Sequence, residues 1–101
     1  MSDFARLRPH QLQAAIAANT PVVLPIGVME YHGQHLPAGV DLLAVTEVIS
    51  RLGDQIITLP PFAYGAASHA VAGPEGTGTL HIDANAILPM AEGLFTALLK
   101  A

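Results

Sequence analysis

Glutamate, histidine and aspartate are gathered in one stretch of a chain that is otherwise poor in charge. Glu30 and His32 follow closely on an apolar run, Val22 to Ile26, that ends in Gly27, and Asp41 comes nine residues after His32. Only 12% of the residues are charged, yet two carboxylates and two of the five histidines fall within positions 30 to 41. Apolar runs of this length read as buried strands, and loops at strand ends are where α/β folds place their chemistry. Residues two apart in an extended segment leave the same face, which sets Glu30 and His32 side by side. A carboxylate with an imidazole is a mixed oxygen and nitrogen donor set suited to zinc or manganese. Asp41 lies beyond a turn containing Pro37 and Gly39, at the expected start of a helix, and its carboxylate can fold back onto the same ion. Together the three read as half of a metal site.

Plainer roles stand beside that reading. Asp41 before Leu42 and Leu43 is also a good helix N-cap. His35 extends the pattern to Glu-x-His-x-x-His, a spacing that also arises by chance, and a loop histidine with a hydrogen-bonded ring is its other reading. His10 reads as an exposed helix residue. His69 and His81 have no partner at a telling spacing and read as structural or exposed.

The stretch Glu30-Tyr31-His32-Gly33-Gln34-His35-Leu36-Pro37, preceded by Leu-Pro-Ile-Gly and followed by Gly39-Val40-Asp41, resembles the signature of the creatininase (creatinine amidohydrolase) family. The resemblance runs over roughly residues 20 to 80. Tyr31 stands where the family usually has Gln, and Gln34 where Pro is common. The resemblance implies that Glu30 and His32 each bind one of two metal ions, zinc or manganese, and that Asp41 bridges them. It continues through Tyr64-Gly65, Ser68 and Gly76-Thr77, which implies a substrate-pocket role for Ser68 and Thr77. Between those points the family often has Glu-His and Phe-Pro, where this chain has Ala70-Val71 and Pro74-Glu75. The implied activity is hydrolysis of a cyclic or linear amide C–N bond by metal-activated water, and the implied fold is a parallel-sheet, three-layer α/β/α domain. The implied partners are a small amide substrate and, in a homo-oligomer, further copies of the chain.

Composition bounds these expectations. At 101 residues the chain is one small domain at most. Hydrophobic residues make up 51%, which argues for a packed core rather than disorder. A net charge of −4 with four Lys and Arg leaves no basic surface for nucleic acid or anionic lipid. Cysteine is absent, so disulfides and thiolate metal sites are excluded, in keeping with a reducing cytoplasm. Neither a signal-peptide pattern nor an apolar run of ~18 residues occurs, so a soluble cytoplasmic protein is expected.

The elements that must position these residues follow from periodicity. Leu12, Ala15 and Ile16, with Leu7, recur at helical spacing within residues 1 to 20, and Pro9 suits a first turn. Asn19-Thr20-Pro21 ends that helix and opens the first strand. Leu42, Val45, Ile49 and Leu52 predict an amphipathic second helix with Gly53 as its stop. The apolar run Ile56 to Leu59 predicts a second strand, completing a βαβ unit with parallel strands and hence an α/β fold. Residues 60 to 80 form a loop long enough to be functional, expected beside the metal loop. A phosphate cradle at Gly73 to Gly78 is excluded, because Thr79 replaces the required Lys and Glu75 would repel phosphate. The last helix spans Asp83 or Asn85 to Leu99, with Ile87, Ala91, Leu94 and Leu98 on one face, widened by Leu88 and Phe95. Pro89 is expected to kink it or delay its start.

Two parallel strands make a narrow sheet, since parallel sheets are normally wider and covered on both faces. The expectation is therefore that residues 1 to 101 are the N-terminal part of a single creatininase-like domain. Under the resemblance, the remaining ligands come from a later Gly-His-Gly loop. A chain of this kind is an amidohydrolase portion or a non-catalytic assembly module with a vestigial metal loop.

Overall fold

A computed structural model describes residues 3–67 and 77–101. Among the described residues, three helices and a parallel two-stranded sheet make up the regular structure, in the order α1 (Pro9–Ala17), β1 (Val22–Val23), α2 (Val40–Ser50), β2 (Ile57–Thr58) and α3 (Ala84–Lys100). Short 3-10 turns precede α1 at Phe4–Arg6 and β2 at Gly53–Gln55. The β1–α2–β2 order with parallel pairing, Val22 opposite Ile57 and Val23 opposite Thr58, is the expected βαβ unit. Isolated parallel bridges carry the pairing onward at Ile26 with Phe62 and at Gly65 with His81.

Local signals account for the ends of the helices. Pro9 occupies the first helical position of α1, where its missing N–H costs nothing. Gln11 Oε1 accepts the Arg8 N–H at 2.8 Å. Asn19 leaves α1 with φ of 54°, a left-handed conformation that asparagine tolerates. Asp83, not Asn85, caps α3, its Oδ1 accepting the Asn85 N–H at 2.8 Å. Pro89 sits inside α3, which runs through it from Ala84 instead of starting late. The second helix stops at Ser50, so Gly53 (φ 62°) belongs to the turn beyond it and is not the immediate stop.

Side chains alternate along the sheet and put helices on both sides. Pro25 and Leu59 face Thr46 and Ile49 of α2. On the opposite side, Leu24, Ile26 and Phe62 face Ile87 and Leu94 of α3. Val22 and Ile57 line a cleft there with Leu12 and Ala15 of α1 and Leu98 at the end of α3. This is the expected three-layer arrangement, with a narrow middle layer.

The core is shallower than the apolar pattern predicts. Ile56, Ile57 and Leu59, with Pro25, are the buried apolar side chains among the described residues. The first apolar run is not a buried strand: Val22 is 45% and Ile26 58% exposed. The reason is topological, since β2 lies between β1 and the Asp3 segment, which bridges to Thr58, whereas β1 is an edge. Ile16, Leu52, Leu88 and Phe95, expected on inward faces, are exposed as well, because a two-stranded middle layer is too narrow to cover three helices. No helix among the described residues is long and apolar enough to cross a membrane.

Candidate metal centre

The metal loop grows out of the end of β1. Phe62 donates its N–H to the Pro25 carbonyl at 2.8 Å, and Gly27 donates to Phe62 at 3.1 Å, so the backbone stays extended past the strand. Leu80 then donates to the Met29 carbonyl at 2.9 Å. Tyr31 donates its N–H to Thr79 Oγ1, also at 2.9 Å. Those two bonds grip the backbone on either side of Glu30. At Gly33, φ of 94° turns the chain sharply just after His32, a conformation that favours glycine. The loop closes where Glu30 donates to the Ala38 carbonyl at 3.0 Å.

Asp41 enters from α2. Gly39 is the N-cap of that helix and Asp41 lies inside its first turn, so the capping alternative for Asp41 does not hold. Its carboxylate instead reaches His32, with Oδ1 at 3.0 Å from Nε2. Glu30 Oε1 lies 3.8 Å from the same nitrogen. Donor atoms of Glu30, His32 and Asp41 all fall within 4.8 Å of one another. Their side chains are 12%, 21% and 39% exposed, so Glu30 is sheltered while Asp41 faces the opening.

The hydrogen-bond inventory of His32 tests the fit to a cation. Its Nδ1 lies 3.2 Å from the Glu30 carbonyl oxygen, and its Nε2 faces the two carboxylates. A neutral imidazole has one N–H, and both of its nitrogens here face acceptors. Nδ1 as donor to the backbone would leave Nε2 as the atom that faces the carboxylates and a cation between them. Backbone carbonyls commonly orient metal-binding histidines in this way. Two ligands each about 2.1 Å from one ion stand about 3.4 Å apart at a tetrahedral angle. The 3.0 Å between His32 Nε2 and Asp41 Oδ1, the pair that would share an ion, lies near that value, and Glu30 Oε1 at 3.8 Å is close enough to serve a neighbouring ion. The donor set fits a divalent cation.

Other residues singled out by the sequence fare differently. His35 is exposed and stands outside the trio. His81 accepts the Ala67 N–H through Nδ1 at 3.0 Å, which gives it a structural partner that spacing did not reveal. Ser68 and His69 lie outside the described residues, and the pocket role expected of Ser68 rests on the resemblance alone. Thr77 is exposed in a turn. Thr79, two positions on, reaches the metal loop, 48 residues from its partner and beyond any local pattern.

Comparison with known proteins bears on the family and the fold. The family model described as creatinine amidohydrolase, creatininase, matches residues 5–101. A creatinine amidohydrolase from Pseudomonas putida is 35% identical over 66 residues, covering 62% of this chain and 25% of that protein. A crystal structure of creatinine amidohydrolase superimposes with a TM-score of 0.80 at 28% identity, covering 98% of this chain and 40% of that one. A mutant creatininase of Zn-Zn type gives 0.81 at 26% identity, again over 98% and 40%. A mutant creatininase complexed with creatine gives 0.82 at 25% identity with the same coverage. The chain thus spans a quarter of the curated relative and two fifths of each solved structure. With the Glu30, His32 and Asp41 cluster at a strand end of a parallel α/β fold, and a family match along nearly all its length, the chain belongs to the creatininase family.

Proposed function

We propose that this chain carries the strand-end metal ligands of a metal-dependent amidohydrolase acting on a small cyclic or linear amide. The observation that carries this reading is the approach of both carboxylates to His32 Nε2. Glu30 and His32 would each hold one ion of a zinc or manganese pair, with Asp41 as a shared ligand. The mutant creatininase complexed with creatine supports a substrate of similar size and polarity. When bound, such a pair supplies Lewis acidity toward an amide carbonyl and acidifies water toward a pKa of about 7. The chain's own residues keep Nε2 turned toward the carboxylates, through the Glu30 carbonyl at Nδ1, and shelter Glu30 from bulk water. Ser68 and Thr77 lie toward the substrate in this reading. Protonation of the leaving nitrogen falls to none of the residues named here. A cytoplasmic setting belongs to the same proposal.

Calorimetric titration with zinc(II) and manganese(II) tests it. Near-stoichiometric uptake, abolished by His32→Ala, is expected. A well-folded chain that takes up neither ion overturns the reading.

The exposed surface favours assembly as a second reading. The chain presents 7104 Å² to solvent. A folded monomer of 10.5 kDa exposes about 5,400 Å². The radius of gyration is 16.1 Å, against about 13 Å for a compact domain of this length. The excess, about 1,700 Å², is roughly twice what each partner gives to a standard interface. Homo-oligomerisation buries such a surface, and sedimentation is expected to show species heavier than the monomer. A single 10.5 kDa boundary at micromolar concentration overturns this second reading.

A further inference from the structure

The three ligand side chains come from two separate pieces of backbone. Glu30 and His32 ride on the extension of β1, and Asp41 rides on the first turn of α2. Their spacing therefore depends on whatever sets the distance between those pieces, and on whatever stops the β1 extension from twisting. Two residues outside the ligand set do this.

Gly27 sets the distance. A Cβ on Gly27 would stand 2.5 Å from the Leu42 nitrogen, 2.7 Å from its Cα and 2.9 Å from the Asp41 carbonyl carbon. All three atoms are backbone, so no side chain can swing away to make room. Any residue larger than glycine pushes the first turn of α2 off the strand, and Asp41 goes with it. Asp41 Oδ1 is already at hydrogen-bond distance from His32 Nε2, so an outward shift of an ångström breaks the contact.

Thr79 sets the twist. Its Oγ1 accepts the Tyr31 N–H from 48 residues away, in a part-buried setting. The neighbouring Leu80 N–H holds the Met29 carbonyl on the other side of Glu30. Tyr31 is the residue between the two ligands. Fixing its peptide plane fixes the shared face from which Glu30 and His32 project.

We propose that Gly27 and Thr79 are positioning residues for the metal centre, Gly27 by admitting α2 to backbone contact and Thr79 by anchoring the Tyr31 peptide. The proposal rests on the metal-binding reading above. Residues that orient metal ligands typically cost about 10- to 100-fold in metal affinity when changed.

The test uses the full chain and zinc(II), with folding checked by circular dichroism at the titration temperature. Thr79→Val keeps the shape and removes the acceptor, and Thr79→Ser keeps the acceptor and removes a methyl group. Thr79→Val and Gly27→Ala are expected to weaken zinc binding about 10- to 100-fold. Thr79→Ser, which keeps the acceptor, is expected to bind zinc as the unchanged chain does. Exchange of the Tyr31 amide hydrogen accelerates in Thr79→Val and not in Thr79→Ser. A purely structural threonine moves the melting temperature and leaves the affinity of the folded chain alone. Equal affinity in Thr79→Val, or an equal loss in Thr79→Ser, overturns the proposal. Should Gly27→Ala fail to fold, the threonine pair alone decides.

Imidazole nitrogen shifts of His32, recorded without metal, separate this proposal from the one beneath it. If the unchanged chain binds no zinc yet Thr79→Val alters those shifts, the metal reading falls and the positioning role survives. If zinc binds and neither shifts nor affinity respond to Thr79→Val, the positioning role falls and the metal reading survives.

Discussion

Around His32, backbone and side-chain hydrogen bonds hold Gly27, Met29, Glu30 and Tyr31 at lengths of 2.9 to 3.1 Å. Along α3, in contrast, Leu88 and Met90 are each 60% exposed, Phe95 53% and Leu99 89%. One region is specified by directional bonds to partners that are present, and the other by apolar surface that is largely uncovered. Directional bonds act over a single contact, whereas burial needs a whole layer. Geometry suited to chemistry can therefore be complete at a strand end while the core behind it is thin. The thinness is local, because β2 has neighbours along both edges and supplies the buried side chains Ile56, Ile57 and Leu59.

The largest effect that sharpens this contrast is expected at Ile57, which is 5% exposed and paired with Val22. Truncation of a well-buried isoleucine to alanine costs about 2–5 kcal/mol. With so few buried apolar side chains among the described residues, nothing else compensates that loss. Ile57→Ala is expected to abolish cooperative unfolding in a urea titration. The ligand substitution His32→Ala, at a part-exposed side chain away from β2, leaves that transition in place. A stable Ile57→Ala variant would show that the fold is held elsewhere and would erase the distinction between the two regions.

Much of the candidate site was legible because Glu30, His32 and Asp41 are close in sequence. The Glu30, His32 and Asp41 spacing needs only an extended segment and one turn, and both formed. The βαβ order was legible for a similar reason, since an apolar run, a helical repeat and a second run are each local signals. Burial was not legible: Val22 and Ile56 belong to equally apolar runs, and only strand order tells which becomes an edge. Asp41 could be read as a cap or as a ligand because both roles put a carboxylate at a helix start. The structure removes the cap reading, since Gly39 holds that position, and turns the carboxylate toward His32, a direction that depends on how closely α2 approaches Gly27. Thr79 and His81 found their partners across long or irregular separations, where periodicity carries no information. Thr79 entered the sequence reading only as a missing phosphate-loop lysine.

A smaller effect is expected at the N-terminus of α3, where the two kinds of interaction meet. Asp83 Oδ1 accepts the Asn85 N–H at 2.8 Å, and it also sits against the positive end of a 17-residue helix. The helix above it is amphipathic but half-covered, with Ile87, Ala91, Leu94 and Leu98 only partly buried. A helix with little packing relies more on its cap, since short helices are marginal without tertiary contacts. Asp83→Ala is expected to lower stability by about 1 kcal/mol, within the usual range for losing such a cap. Asp83→Asn keeps the acceptor, loses the charge and is expected to recover most of that. The measurement is the urea midpoint at constant slope, so that a stability change is separated from a change in compactness. Zinc affinity of the folded chain stays unchanged in both variants, because Asp83 lies outside the Glu30, His32 and Asp41 cluster. A cap substitution that weakened metal binding would mean that α3 and the strand-end loop are coupled, and the two regions would have to be treated as one.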